Sequence, residues 1–208
     1  MSRPRESELV ARILSYELAY QMQTTAADVV DLSQETRQTQ EMYGLDDART
    51  ADFGRKCLIA RRLIERGVRF IQLYSGGGHI EDTWDGHNNC VSNHTIHAGE
   101  TDQPIGALMT DLKQRGLWDE TLLVWGGELG RTPMVEIRKP EDADNAGRDH
   151  HPNAYSMWMA GGGIRGGQVG GSTDEFCLKI LEDPVHVHDL HATILHCLGF
   201  DHTKLTYR

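Results

Sequence analysis

The sequence predicts an α/β fold, a largely parallel sheet flanked by helices. Three observations lead there. Two short apolar runs, VRFIQLY (68–74) and TLLVW (121–125), read as buried strands with a loop and a helical stretch between them. Strand, loop, helix, strand is a βαβ unit, which implies parallel strands and a right-handed crossover. Glycine clusters at 76–78, 126–127 and 161–163 stand where a chain leaving a sheet must turn tightly.

Residues 6–22 place Val10, Ile13, Leu14, Leu18 and Met22 at helical spacing, so a packing helix is expected. From Thr24 to Thr50 the chain turns polar, which suggests a linker with a short helix near 33–43. Residues 1–50 therefore read as a helical and polar N-terminal segment ahead of an α/β domain at 51–208. Thr50 or Asp52 caps a second helix, striped by Phe53, Cys57, Ala60 and Ile64 and stopped by Gly67. The strand 68–74 follows, then a loop over 75–97 that carries His79, His87, His94 and His97. Thr101 or Asp102 starts a third helix with Pro104 in its first turn, Ile105, Leu108, Met109 and Leu112 inward, and Gly116 at its end. After the strand 121–125 comes a polar loop over 126–153, then a third strand, YSMWMA (155–160). Residues 176–181 are expected to be extended. A last helix is expected over 189–198, with Asp189 as its N-cap and Gly199 as its stop.

A chain of 208 residues fits one ordinary domain and can bury ~70% of its unfolded surface, so it needs neither disulfide nor metal merely to fold. The net charge of -10, from 31 acidic and 21 basic side chains, argues against a general nucleic-acid binder. A small anionic substrate stays compatible with it, because screening over ~8 Å leaves the decision to local arginines and any bound cation. The four cysteines show no CxxC spacing, and Cys57 and Cys197 fall on apolar helix faces, as buried free thiols would. No apolar run approaches the ~18 residues of a membrane span, and Met1 opens a charged stretch rather than a signal peptide. Localisation and oligomeric state stay open.

In a parallel sheet, ligands gather beyond the carboxyl ends of the strands, so the loops 75–97 and 126–153 are expected at one edge. There Asp85 and His87, Glu128, and the run Asp149-His150-His151 supply the oxygen and imidazole donors that divalent metals take together. Asp85, His87, Glu128, Asp149 and His150 are thus candidate ligands for zinc, calcium, magnesium or manganese. Each has a plainer reading: Asp85-Gly86-His87 as a turn, Asp149 as a helix cap, the histidines as solvated side chains. Glu128 follows a buried strand and needs a cation, a proton or a structural pair with Arg131. Arg131 and Arg148 carry planar forks suited to phosphate or sulfate, although Arg148 can equally pair with the acidic run at 141–144. His151 or a histidine of the 79–97 loop is placed to protonate a leaving oxygen. His186, His188, His191 and His196 read as packing residues. The glycines at 161–163 lack the helix start and the downstream acid of a dinucleotide site.

A set of segments carries a family likeness: FGRKCLIARRLIERGVRFIQLYSGGGH, WDGHNN, ETDQPIGALMTDLKQRG, LLVWGGELGRTP, GRDHHP, MWMAGGGIRGG and PVHVHDLHATILHCLG. Together they cover nearly all of Phe53 to Arg208. They resemble the carboxyl-terminal part of the bacterial sulfatase-like proteins of domain-of-unknown-function family 1501, grouped with the alkaline phosphatase superfamily. The resemblance implies an α/β sandwich and a metal-dependent site that hydrolyses phosphate or sulfate esters through a Ser, Thr or modified Cys nucleophile. By it, Asp85 and His87 supply one metal and His150 or His151 closes the shell. Glu128 stands where the superfamily commonly has an Asp-His pair. The resemblance also implies an incomplete fold, with the nucleophile region outside these residues, and it accommodates a non-catalytic member that binds a ligand or protein partner.

Overall fold

A computed structural model describes residues 4–76, 83–137 and 140–206. Its helices are α1 (Pro4–Val30), α2 (Arg37–Met42), α3 (Ala51–Glu65), α4 (Cys90–Gln114) and α5 (Val187–Cys197). Its strands are β1 (Leu122–Trp125), β2 (Gly130–Glu136), β3 (Gly147–His151), β4 (Trp158–Gly161), β5 (Ser172–Thr173) and β6 (Ile180–Glu182).

The expected parallel sheet is overturned. Among the described residues every sheet has two strands, and all three pairs, β1 with β4, β2 with β3 and β5 with β6, are antiparallel. The run 68–74 is not a strand, and Phe70 and Tyr74 on it are exposed. A strand exists only where a neighbour takes its N–H and C=O groups. β1 finds that neighbour in β4, in the register Leu122↔Gly161 to Trp125↔Trp158. With no strand before α4 among the described residues, the βαβ unit and its crossover disappear.

α4 also begins earlier than expected, at Cys90, so Pro104 lies inside the helix instead of in its first turn. His94 and His97 are therefore helical residues rather than loop residues. Among the described helices, none is long and apolar enough to cross a membrane.

The contacts divide the chain into two units, Met1–Leu73 with Gln103–Leu108, and Tyr74–Asp102 with Met109–Arg208. In the first, the α3 stripe buries Phe53, Cys57 and Ala60 as its spacing foretold, joined by Leu58, Tyr43 and Val29. Thr50 occupies the N-cap position, but its hydroxyl donates to Gly44 O at 2.7 Å. α1 behaves otherwise than expected, since Val10, Ile13 and Leu14 on its apolar stripe are about half exposed; the side chains of Leu18 and Met22 lie outside the described residues. What ties the end of α1 down is charge. Arg62 donates to Asp28 O and Val29 O at 2.7 and 2.9 Å, meeting carbonyls that a helix end leaves without partners. Glu35 pairs with Arg62 and, at 2.6 Å, with Arg61, and all three side chains are buried.

In the second unit, α5 starts with a capping box: Asp189 accepts from His186 N at 2.9 Å, and His186 Nδ1 accepts from His188 N at 3.2 Å. The N-cap is thus His186, with Asp189 in the third helical position. Trp125 stacks on Trp158 across β1 and β4, and Trp84 meets Trp125 edge-on at 6.0 Å. The four cysteines are free, with Cys57 buried, Cys90 and Cys197 half-buried and Cys177 exposed.

Candidate functional site

The site is built on β2 and β3, in what the sequence presents as a polar loop. Gly130 faces His151 and Arg131 faces His150; further along, Val135 faces Arg148 and Glu136 faces Gly147. Between these two sets the register slips, because β2 spends extra residues around Pro133, which has no N–H to give a ladder.

The second component is the loop Trp84–Asn89, which runs beside β3. Arg148 N donates to Gly86 O at 3.1 Å, Asn89 N donates to Asn145 O at 2.8 Å, and Asn88 bridges to Ala146. Gly147 lets the two backbones touch. A Cβ there would stand 1.9 Å from both C and O of His87, so no other residue fits without moving the loop. Asn93 of α4 holds the far side of the loop, donating to Thr83 O at 2.7 Å.

These backbone contacts bring Asp85, His87 and His150 together. One carboxylate oxygen, Asp85 Oδ1, lies 3.0 Å from His87 Nε2, 2.9 Å from His150 Nε2 and 2.6 Å from Arg131 Nη2. The two imidazole Nε2 atoms are 3.2 Å apart. On the other edge of its ring, His87 Nδ1 is 2.5 Å from Glu136 Oε2. Arg131 is held further by donation to Trp84 O at 3.3 Å and to Arg148 O at 2.9 Å. Partial burial pushes the Asp85 carboxyl up, but hydrogen bonding with His150 and Arg131, and the charges of His87 and Arg131, outweigh it and hold the group below its ordinary range.

Among the described residues, two sets of donors could take a metal, each with its atoms within 4.8 Å of one another: Asp85, His87 and His150, and His87, Glu136 and Asp149. The first fits in its donor chemistry. With its Nδ1–H given to Glu136, a neutral His87 would offer the Nε2 lone pair beside a carboxylate oxygen and a second imidazole nitrogen, and oxygen with imidazole nitrogen suits zinc or manganese.

The other expected site residues are placed as follows. Asp149 is exposed and accepts from His150 N at 2.7 Å. Glu128 lies in the exposed turn after β1 and belongs to neither donor set. His151 is buried, and its Nδ1 accepts from Asn153 N and Ala154 N at 3.2 and 3.1 Å, which holds the turn after β3. Arg148 contributes its backbone, while its half-buried guanidinium enters no ion pair among the described residues. His94 and His97 pack against Trp84, with ring centroids at 5.6 and 5.5 Å. His79 lies outside the described residues. Glu136 escaped the sequence reading, although its flanking by Val135 and Ile137 is the alternation of a strand.

A family model described as "Protein of unknown function (DUF1501)" matches residues 1–208, so it includes the N-terminal segment that the likeness from Phe53 onward left out. No curated protein and no solved structure matches the chain.

Proposed function

The chain belongs to the DUF1501 family, and on that premise we propose that Asp85, His87 and His150 hold one divalent cation in the service of phosphate- or sulfate-ester hydrolysis. The observation that carries the reading is the convergence of two imidazole nitrogens on a single oxygen, Asp85 Oδ1, at 2.9 and 3.0 Å. A cation held there supplies Lewis-acid polarisation of an ester oxygen. The chain's own residues do the rest. Asp85 brings the negative charge, and the two histidines bring neutral nitrogen donors. Arg131, the register partner of His150, carries the planar fork that offsets charge developing on the non-bridging oxygens of a phosphoryl or sulfuryl group. Arg148 is the second cation available to such an anion. The sulfatase-like assignment is part of this proposal; the parallel-sheet architecture is not.

Calorimetric titration with Zn²⁺ and Mn²⁺, coupled to hydrolysis assays on an aryl phosphate and an aryl sulfate, tests it. We expect one cation per chain, affinity at least tenfold weaker in Asp85→Asn and in His150→Ala, and metal-dependent turnover of one ester. A protein that binds neither metal and turns over neither ester overturns the proposal.

One observation favours a second reading, a non-catalytic module that binds a ligand or protein partner. Arg131 Nη2 already sits 2.6 Å from the same Asp85 oxygen, so the cluster can close on itself as an ion-pair network. Full stability with no metal uptake selects this reading.

A further inference from the structure

Resting on the metal centre proposed above, we infer that Glu136 is its positioning residue: it takes the Nδ1–H of His87 and thereby turns the lone pair of Nε2 toward the cation. A neutral imidazole has one lone-pair nitrogen, and the hydrogen bond at the other nitrogen decides which it is. His87 shows both halves of this arrangement. Its Nδ1 lies 2.5 Å from Glu136 Oε2, and its Nε2 faces Asp85 Oδ1 and His150 Nε2 at 3.0 and 3.2 Å. Carboxylate, imidazole and the ligand atoms stand in the order that fixes a ring and raises its basicity as a ligand.

The backbone explains why Glu136 in particular fills this role. Glu136 is the register partner of Gly147, and Gly147 is the residue whose bare backbone rests against the His87 backbone. The missing side chain lets the β2 residue beyond it reach the imidazole. The competing arrangement, with Glu136 and Asp149 themselves as ligands, uses His87 Nδ1 and leaves Nε2–H to donate to Asp85 Oδ1. It relies on Asp149, which is exposed and already accepts from His150 N.

The experiment follows Co²⁺ binding by calorimetry in the parent, Glu136→Gln and Glu136→Leu, and records the imidazole nitrogens of ¹⁵N-histidine-labelled parent loaded with Zn²⁺. Loss of the acceptor in Glu136→Leu is expected to weaken Co²⁺ binding ~10- to 100-fold. Glu136→Gln, whose amide oxygen still accepts, is expected to fall between. In the parent, His87 is expected to carry a proton on Nδ1 and the metal on Nε2. A purely structural Glu136 would lower the melting temperature of the metal-free variants while leaving Co²⁺ affinity unchanged. Parent-like Co²⁺ binding by Glu136→Leu, or metal on Nδ1, overturns the role of Glu136 alone. A parent that binds no Co²⁺ overturns the centre together with it. Should Glu136→Leu fail to fold, the parent's spectrum and Glu136→Gln still decide.

Discussion

Glu35 shows how much one side chain can hold in place. Burial pushes its carboxyl up, yet hydrogen bonds from Arg62 and Arg61 outweigh this and keep it below the ordinary glutamate range. A depressed folded-state value means that its contribution is present above the unfolded value, ~4.3, and is lost as pH falls through the lower folded value. Glu35→Leu also leaves the buried Arg62 without its carboxylate, while Arg61 keeps Glu65 at 2.6 Å. Breaking a buried pair in this way costs about 3–5 kcal/mol. Urea unfolding at pH 7 is expected to show that loss. The parent is expected to lose stability below about pH 4, and the variant to show a flatter acid limb over the same window. Equal acid limbs would remove Glu35 as the acid-sensitive group. None of this was readable in the sequence, where Glu35 is one polar residue within a polar stretch and its partners lie a helix away.

Among the elements, the pair β2–β3 matters most, and Gly147 is a point in it where a side chain finds no room. A methyl group at 147 would overlap the His87 carbonyl, which forces the Trp84–Asn89 loop off β3. Overpacking of this kind costs about 1–3 kcal/mol. Gly147→Ala is therefore expected to lose stability by that amount in urea melts, together with most of its metal affinity by calorimetry, whereas Gly166→Ala, which meets nothing within 4 Å, leaves both unchanged. The elements that sequence alone revealed are those with a clean period: α3, with its buried stripe, and the apolar runs at β1 and β4. β2 and β3 stayed hidden because GRTPMVE and GRDHH lack a sustained alternation of apolar and polar residues. The segment 68–74 misled for the opposite reason, since an apolar run states a tendency and names no partner. α4 was cut short because Pro104 mimics a helix start. Of the candidate site, Asp85, His87, Asp149 and His150 were found by residue type, while Glu136 needed a strand pairing to be noticed.

At the scale of the whole molecule, the feature that stands out is uncovered apolar surface. Phe70, Tyr74, Val169 and Val185 are among the exposed apolar residues. Because the urea m-value scales with the area exposed on unfolding, a chain that keeps such residues in water is expected to give a smaller m-value than one of the same length that buries them. A full-sized m-value in equilibrium urea melts would show that these side chains find cover in solution.

Three of the four indoles of the second unit have a consequence of their own. Trp84, Trp125 and Trp158 stand 6.0 and 6.2 Å apart in sequence of contact, and Trp84 is bonded directly to Asp85. Excitation absorbed by any of them can migrate along the row to the one beside the carboxylate. The protein thus carries its own optical gauge, in which a change at Asp85 registers as a change in emitted light without an added dye.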